Sequence, residues 1–114
     1  VAVDMQAYDQ HHAFSFDQVF DAGASNAEVY ANTARPLVRC AIRRGCKVAC
    51  FAYGQTGAGK THTMMGIPGE LPGLYYLGGA DLFSQLRQAD RDDTTIVLAS
   101  FYEIYCGKLY DLLH

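Results

Sequence analysis

An α/β fold, with strands covered by helices on both faces, is predicted by three observations. The first is Gly54-Gln55-Thr56-Gly57-Ala58-Gly59-Lys60-Thr61, which spells G-x-x-x-x-G-K-S/T, a phosphate-binding loop. The second is its surroundings. Lys47 to Tyr53 is a short apolar segment that reads as a buried strand, and from Lys60 to Met65 the glycines stop and a helix can start. Strand, glycine loop and helix in that order form the context that makes the loop specific. The third is Thr95 to Tyr105, apolar on both alternating faces: Ile96, Leu98 and Ile104 on one, Val97, Ala99, Phe101 and Tyr105 on the other. A strand covered on both sides belongs inside an α/β sheet.

Each residue type in the loop has a physical reason. Gly54, Gly57 and Gly59 have no β-carbon, so the backbone can turn tightly against a ligand. Its N–H groups, those of Gln55, Thr56 and Ala58 included, can then form an anion-binding nest, to which the following helix adds the positive end of its dipole. Lys60 supplies a mobile positive charge for the β- and γ-phosphates of a nucleotide. Thr61 offers a hydroxyl to the Mg2+ that bridges them.

Composition limits the alternatives. The chain has 114 residues, half of them apolar and 18% charged, which suits one globular domain. No apolar run reaches the roughly eighteen residues a membrane span requires, and no basic-then-apolar leader is present, so neither a membrane segment nor a signal peptide is expected. The net charge of −3 gives no argument for a nucleic-acid partner. Arg35, Arg39 and Arg43 recur every four residues and share one helix face, which reads by default as solvated and otherwise as a contact for an acidic partner. The cysteines, Cys40, Cys46, Cys50 and Cys106, form no C-x-x-C, and no histidine stands at zinc-finger spacing. Cys40 and Cys50 read as small buried hydrophobes, and reduced thiols in a cytosolic or nuclear setting are expected.

In chain order, Ala13 to Phe16 reads as a short strand reaching toward Phe20, and Asp21 to Ala24 as a turn. Ser25-Asn26-Ala27-Glu28 is a capping box. The helix it opens runs to about Arg44, with Tyr30, Ala34, Leu37, Val38, Ala41 and Ile42 on one face and Gly45 as its stop. Pro36 lacks an N–H, so a kink is expected between Asn32 and Arg35. Gly66 to Gly73 is a loop by composition. Leu74 to Gln88 resumes a helical pattern through Leu77, Leu82, Phe83 and Leu86, with Gly78-Gly79 as a weak point. Cys106-Gly107 turns the chain, and Lys108 to Leu113 reads as a short paired strand.

Phe51-Ala52-Tyr53 followed by the loop and His62-Thr63-Met64 resembles the phosphate-loop signature of kinesin motor domains. Phe16-Asp17-Gln18-Val19-Phe20 is similar to the F-D-x-V-F segment of that family. Ser100 to Tyr105 and Lys108 to Leu113 resemble its S-F/Y-x-E-I-Y and K-L/I/V-x-D-L-L stretches. Thr33-Ala34-Arg35-Pro36-Leu37-Val38 and Asn26-Ala27-Glu28-Val29-Tyr30 are most similar to the internal-motor kinesins (family thirteen), which depolymerise microtubules. Those proteins carry a K-V-D loop tip against the microtubule. Val3-Asp4 aligns with it, but Ala2 stands in place of the lysine, so Val3 and Asp4 read either as a microtubule contact or as an ordinary loop.

The resemblance implies a P-loop NTPase-type mixed, mostly parallel sheet with helices on both faces, and an ATPase that uses Mg2+ and couples hydrolysis to microtubule depolymerisation or movement. The alternatives are a kinesin-like protein that binds nucleotide or microtubules without turnover, and a small-molecule kinase on the same loop. The resemblance implies that Gln55 to Thr61 cradle the phosphates, that Lys60 and Thr61 serve catalysis, and that His62 lies beside the adenine; otherwise His62 is a helix residue without a ligand. Tyr53 is read as packing in its strand, and Glu103 and Tyr105 as structural. Tubulin is the implied partner, with no nucleic acid or membrane. Dimerisation would run through regions outside this chain, and localisation to the cytoplasm and cytoskeleton (microtubules, spindle or flagellum) is expected. The family's R-x-R-P adenine segment and its γ-phosphate-sensing N-x-x-S-S-R-S-H and D-x-x-G segments do not occur here. Residues 1–114 therefore resemble a partial motor domain that holds the phosphate loop and lacks the switch and most microtubule-binding elements.

The strand leading into the loop would lie between strands that this chain lacks, and unpaired edges are sticky. Residues 1–114 expressed alone are expected to melt without a cooperative transition. A cooperative melt with native-like β content by circular dichroism would overturn that expectation.

Overall fold

The structure, a computed structural model, describes residues 11–88 and 95–114. Its first ordered element starts at the expected cap. Ser25 Oγ accepts a hydrogen bond from the Glu28 N–H at 3.2 Å, opening α1 (Asn26–Asn32). Of the two capping-box bonds, this is the one formed. The helix breaks at Thr33 and resumes as α2 (Ala34–Arg44), where the kink was expected. Pro36 offers no N–H to the Asn32 carbonyl, and its ring crowds that oxygen. Thr33 Oγ1 meanwhile donates to the Val29 carbonyl at 2.6 Å, closing α1. The second helix ends at Gly45 in a left-handed conformation, as expected.

After the loop come α3 (Lys60–Met64), the two-residue strands β1 (Gly66–Ile67) and β2 (Leu71–Pro72), and α4 (Leu74–Gln88). The antiparallel β1–β2 ladder forms where only loop was expected. In turn, α4 runs unbroken through Gly78-Gly79. Each glycine costs about 1 kcal/mol against alanine; a β-carbon at Gly78 would make only an ordinary contact with the Tyr30 ring and one at Gly79 would meet nothing within 4 Å, so packing requires neither glycine and the helix tolerates both. The last elements, β3 (Tyr102–Tyr105) and β4 (Lys108–Asp111), form a hairpin in the register Tyr102↔Asp111 to Tyr105↔Lys108. Cys106 and Gly107 both have positive φ, the requirement of a two-residue hairpin turn, so the expected turn and paired strand are present.

Two expected strands, 13–16 and 47–53, are not formed, and the one expected from Thr95 to Tyr105 forms only over Tyr102–Tyr105, as β3. Residues 13–16, 47–53 and 95–101 belong to no ladder among the described residues, and strand structure requires one. Only the two hairpins, whose partners follow within a few residues, pair. The side chains of the missing strands are accordingly exposed: Phe51 by 82%, Tyr53 by 95% and Leu98 by 90%. Tyr53 does not pack in a strand. Both ladders among the described residues are antiparallel.

The thiol reading also changes. Cys40 and Cys46 form a disulfide, with Cα atoms 5.5 Å apart. The left-handed turn at Gly45 folds the chain back, so that the Cys46 N–H donates to the Cys40 carbonyl and the two side chains meet. Cys50 is exposed, not buried; it and Cys106 are free.

What holds the helices together is a small core of Tyr30, Ala34 and Leu74, with Val29, Met64 and Leu77 packed against it. The Tyr30 hydroxyl donates to Asp81 Oδ2 at 2.7 Å, and the Arg35 guanidinium lies over the Tyr30 ring, 5.5 Å from its centre. Arg35 Nε is also 3.9 Å from the Asp81 carboxylate. One buried ring thus ties α1, α2 and α4. Beside it an apolar groove of about 300 Å3 opens between α2, α4 and Val48–Cys50, lined by Leu37, Val38, Leu74 and Leu82.

Burial pushes the Tyr30 hydroxyl up to about 12, helped by its bond to Asp81 and that residue's charge; Arg35 pulls the other way. Burial disfavours the Asp81 charge, but hydrogen bonds from Tyr30 and Gln85 and the positive Arg35 and Arg39 outweigh it and hold the carboxyl below its ordinary value. A raised Tyr30 stabilises fully below the ordinary tyrosine value of 10.0, and that contribution is lost as pH rises toward about 12. A lowered Asp81 stabilises above the ordinary carboxylate value of 3.8 and loses its contribution as pH falls below it. In the complete domain, Tyr30→Phe is expected to cost about 1 kcal/mol at neutral pH. It should also flatten the alkaline decline in melting temperature, which thermal denaturation across pH will measure.

Candidate nucleotide-phosphate site

The loop from Gly54 to Gly59 contains three positive-φ glycines, Gly54 at 155°, Gly57 at 81° and Gly59 at 84°. Gly59 matters most, because it stands immediately before α3, where it occupies the cap position in the left-handed region. No side chain caps the first turn of α3, so its leading N–H groups receive no protein oxygen from the cap residue. Inside the loop the Ala58 N–H donates to the Gln55 carbonyl at 3.2 Å, giving the tight turn.

Lys60 is half-buried and folds back over the loop. Its ammonium donates to the Gly54 carbonyl at 2.8 Å and to the Gln55 carbonyl at 2.6 Å. Both partners are neutral, so its charge is uncompensated by any carboxylate among the described residues. A cation with only neutral carbonyl partners beside a glycine loop suits an anion of several oxygens. Thr61 follows on α3 with its side chain exposed. No ligand-forming cluster of His, Cys, Asp and Glu occurs among the described residues. An Mg2+ here would therefore rely on the Thr61 hydroxyl and on phosphate oxygens, the pattern a phosphate-bound Mg2+ commonly follows.

The expected site residues from Gly54 to Thr61 are brought together. His62 lies on α3 with an exposed side chain; its backbone carbonyl, though, accepts from Asn26 Nδ2 at 2.9 Å. Val3 and Asp4 lie outside the described residues. Three neighbours were not expected. Phe101 and Glu103 share with Lys60, Thr61 and Phe51 the lining of an open cavity of about 440 Å3. Asn26 is 5% exposed and reaches α3 from α1. The only sequence signal for Asn26 was its place after the Ser25 cap, which fixed its backbone and left its side chain undirected.

A glycine loop with its lysine folded over it, opening onto an uncapped helix, defines a P-loop phosphate site. The kinesin motor domain family matches residues 2–114, and the chain belongs to that family, whose fold is that of the P-loop NTPases. Its relatives include Kinesin-like protein KIF24 of Mus musculus, 51% identical over 113 residues, and Kinesin-like protein KIF24 of Homo sapiens, 50% identical over 113 residues. Each similarity covers 99% of this chain and 8% of the relative, so the chain spans a small part of the relatives it matches.

A β-carbon at Gly59 would meet no atom within 4 Å, so substitution there tests backbone conformation alone. Gly59→Ala in the complete domain is expected to cost about 1–2 kcal/mol, the penalty for an L-residue in the left-handed region. Chemical denaturation will measure it; an unchanged midpoint would show that the loop relaxes freely.

Proposed function

We propose that residues 1–114 form the phosphate-gripping part of a kinesin motor domain that hydrolyses MgATP and couples turnover to depolymerisation of, or movement along, microtubules. The observation that carries this reading is Lys60, poised over the Gly54 and Gln55 carbonyls beside the loop amides. A triphosphate entering the loop would offer Lys60 charged oxygens in place of neutral ones, and charge-assisted hydrogen bonds are roughly twice as strong. The amides of Gln55 to Gly59 would hold the β-phosphate, and Lys60 would reach the β- and γ-oxygens. Thr61 would hold the metal, and His62 would lie toward the base. Mg2+, when bound, neutralises charge developing on the bridging oxygens. The chain's own contribution is position and electrostatics, with no covalent step.

On this reading the stretches at 47–53 and 95–101 become strands of a mostly parallel sheet once the rest of the domain supplies their neighbours. Their exposed Phe51, Ile96 and Leu98 favour that completion. The segments Thr33 to Val38 and Asn26 to Tyr30 favour the internal-motor, depolymerising kinesins of family thirteen, with tubulin as partner and the microtubule cytoskeleton as location. Ala2, where those proteins carry lysine, removes one charge from that contact.

Lys60→Ala in the complete motor domain is expected to weaken MgATP binding by about a hundredfold or more, the loss of a charge-assisted contact to phosphate. Nucleotide titration will show it, and unchanged affinity would refute the role. Microtubule-stimulated phosphate release from the full-length protein separates turnover from binding alone. Shortening or gliding of stabilised microtubules under the light microscope separates the two motor classes.

A further inference from the structure

The phosphate loop opens onto a helix too small to hold itself in place. A helix of five residues, α3 has none of them buried. One and a half turns barely repay helix nucleation, so contacts from elsewhere must fix such an element. Among the described residues, the side-chain hydrogen bond that reaches α3 from another element is made by Asn26.

The geometry is specific. Asn26 is buried at the first position of α1. Its Nδ2 donates to the His62 carbonyl at 2.9 Å and to the Pro72 carbonyl at 3.3 Å. The first acceptor lies in the last turn of α3, where its backbone donor is the Met65 N–H, shared with the Thr61 carbonyl. The second closes the β1–β2 ladder, where the backbones cross so closely that a β-carbon on Gly66 would collide with Leu71–Gly73 and one on Gly73 with Met64–Gly66. One amide nitrogen therefore joins the exit of α3 to the crossing behind it. At the other end, α1 is held to α4 through Tyr30 and Asp81. One line from the core to Lys60 runs Asp81, Tyr30, α1, Asn26, His62, with His62 two residues from Lys60; Met64 of α3 also packs against the core, but without a directional bond.

We propose that Asn26 is a positioning residue of the nucleotide site: its buried side-chain amide clamps the His62 and Pro72 carbonyls and thereby fixes α3, and with it Lys60 and the phosphate loop, for nucleotide binding. This rests on the nucleotide reading above. The role requires a donor, not merely a group of this size. A carboxylate of the same shape would set oxygen against two carbonyl oxygens, repelling the end of α3 it should hold. A longer amide retains the donors.

The test uses the full-length protein and a fluorescent MgADP analogue. Wild type is titrated first; if it binds no nucleotide, the nucleotide reading falls and this proposal with it. Asn26→Asp is expected to weaken binding about tenfold or more, the effect of losing and reversing a buried hydrogen bond, while its melting transition persists. Asn26→Gln is expected to stay within about threefold of wild type because the donors remain. In ATP turnover the loss should fall on KM with little change in kcat. Wild-type affinity in a folded Asn26→Asp protein, or equal losses in both variants, would overturn the positioning role and leave the nucleotide reading standing. If Asn26→Asp does not fold, hydrogen exchange on the wild type decides. Nucleotide should slow exchange at Met65, Gly66 and residues 26–29 together with the loop; protection confined to residues 54–61 would overturn the proposal.

Discussion

The Tyr30 hydroxyl donates to Asp81 across 2.7 Å, and the described helices are arranged around that bond. Tyr30 is 2% exposed, and its ring lies over Gly78 and under Arg35. The buried neighbours Ala34 and Leu74 complete the contact. A phenol that desolvated needs a partner, and a carboxylate is a strong one. Because the ring comes from α1, the cation from α2 and the carboxylate from α4, a single polar cluster orients three helices. The apolar core around it is small, so this cluster carries a larger share of the specificity than it would in a large core.

The phosphate loop depends on the same cluster indirectly. The loop is glycine-rich and has little packing of its own, and α3 is short. Its position is inherited from α1 through Asn26 and from the β1–β2 crossing through Gly66 and Gly73. That arrangement leaves the Lys60 ammonium over the loop on two neutral carbonyls, which an anion's oxygens could replace. The chain belongs to the kinesin motor domain family, and its apolar stretches at 47–53 and 95–101 are exposed.

Much of the local structure was legible in the residues. The Ser25 cap, the Gly45 stop, the break before Pro36 and the Cys106-Gly107 turn each follow from backbone chemistry that needs no distant partner. Amphipathic spacing identified Tyr30 and Ala34 as inward positions, and the spacing of Gly54, Gly59 and Lys60 marked the site. The strands read at 13–16 and 47–53 do not form, and the one read from Thr95 to Tyr105 forms only at Tyr102–Tyr105, because alternation and apolarity describe a strand's faces and say nothing about whether a neighbour is present. The cysteines were misread for a related reason. Cys40 and Cys46 sit too far apart in sequence for C-x-x-C, and only the fold-back at Gly45 brings them into contact.

By itself the sequence determined the helix boundaries, the hairpin and the phosphate loop. Those depend on bonds between residues a few positions apart, and on φ values that particular residue types permit or forbid. The tertiary structure alone decided that Asp81 would meet Tyr30 across 51 positions, and that Asn26 would reach His62 across 36 and Pro72 across 46. A polar side chain on a helix can point to water at little cost. Nothing in its local pattern reveals that it is buried against a carbonyl until the elements that bury it have packed.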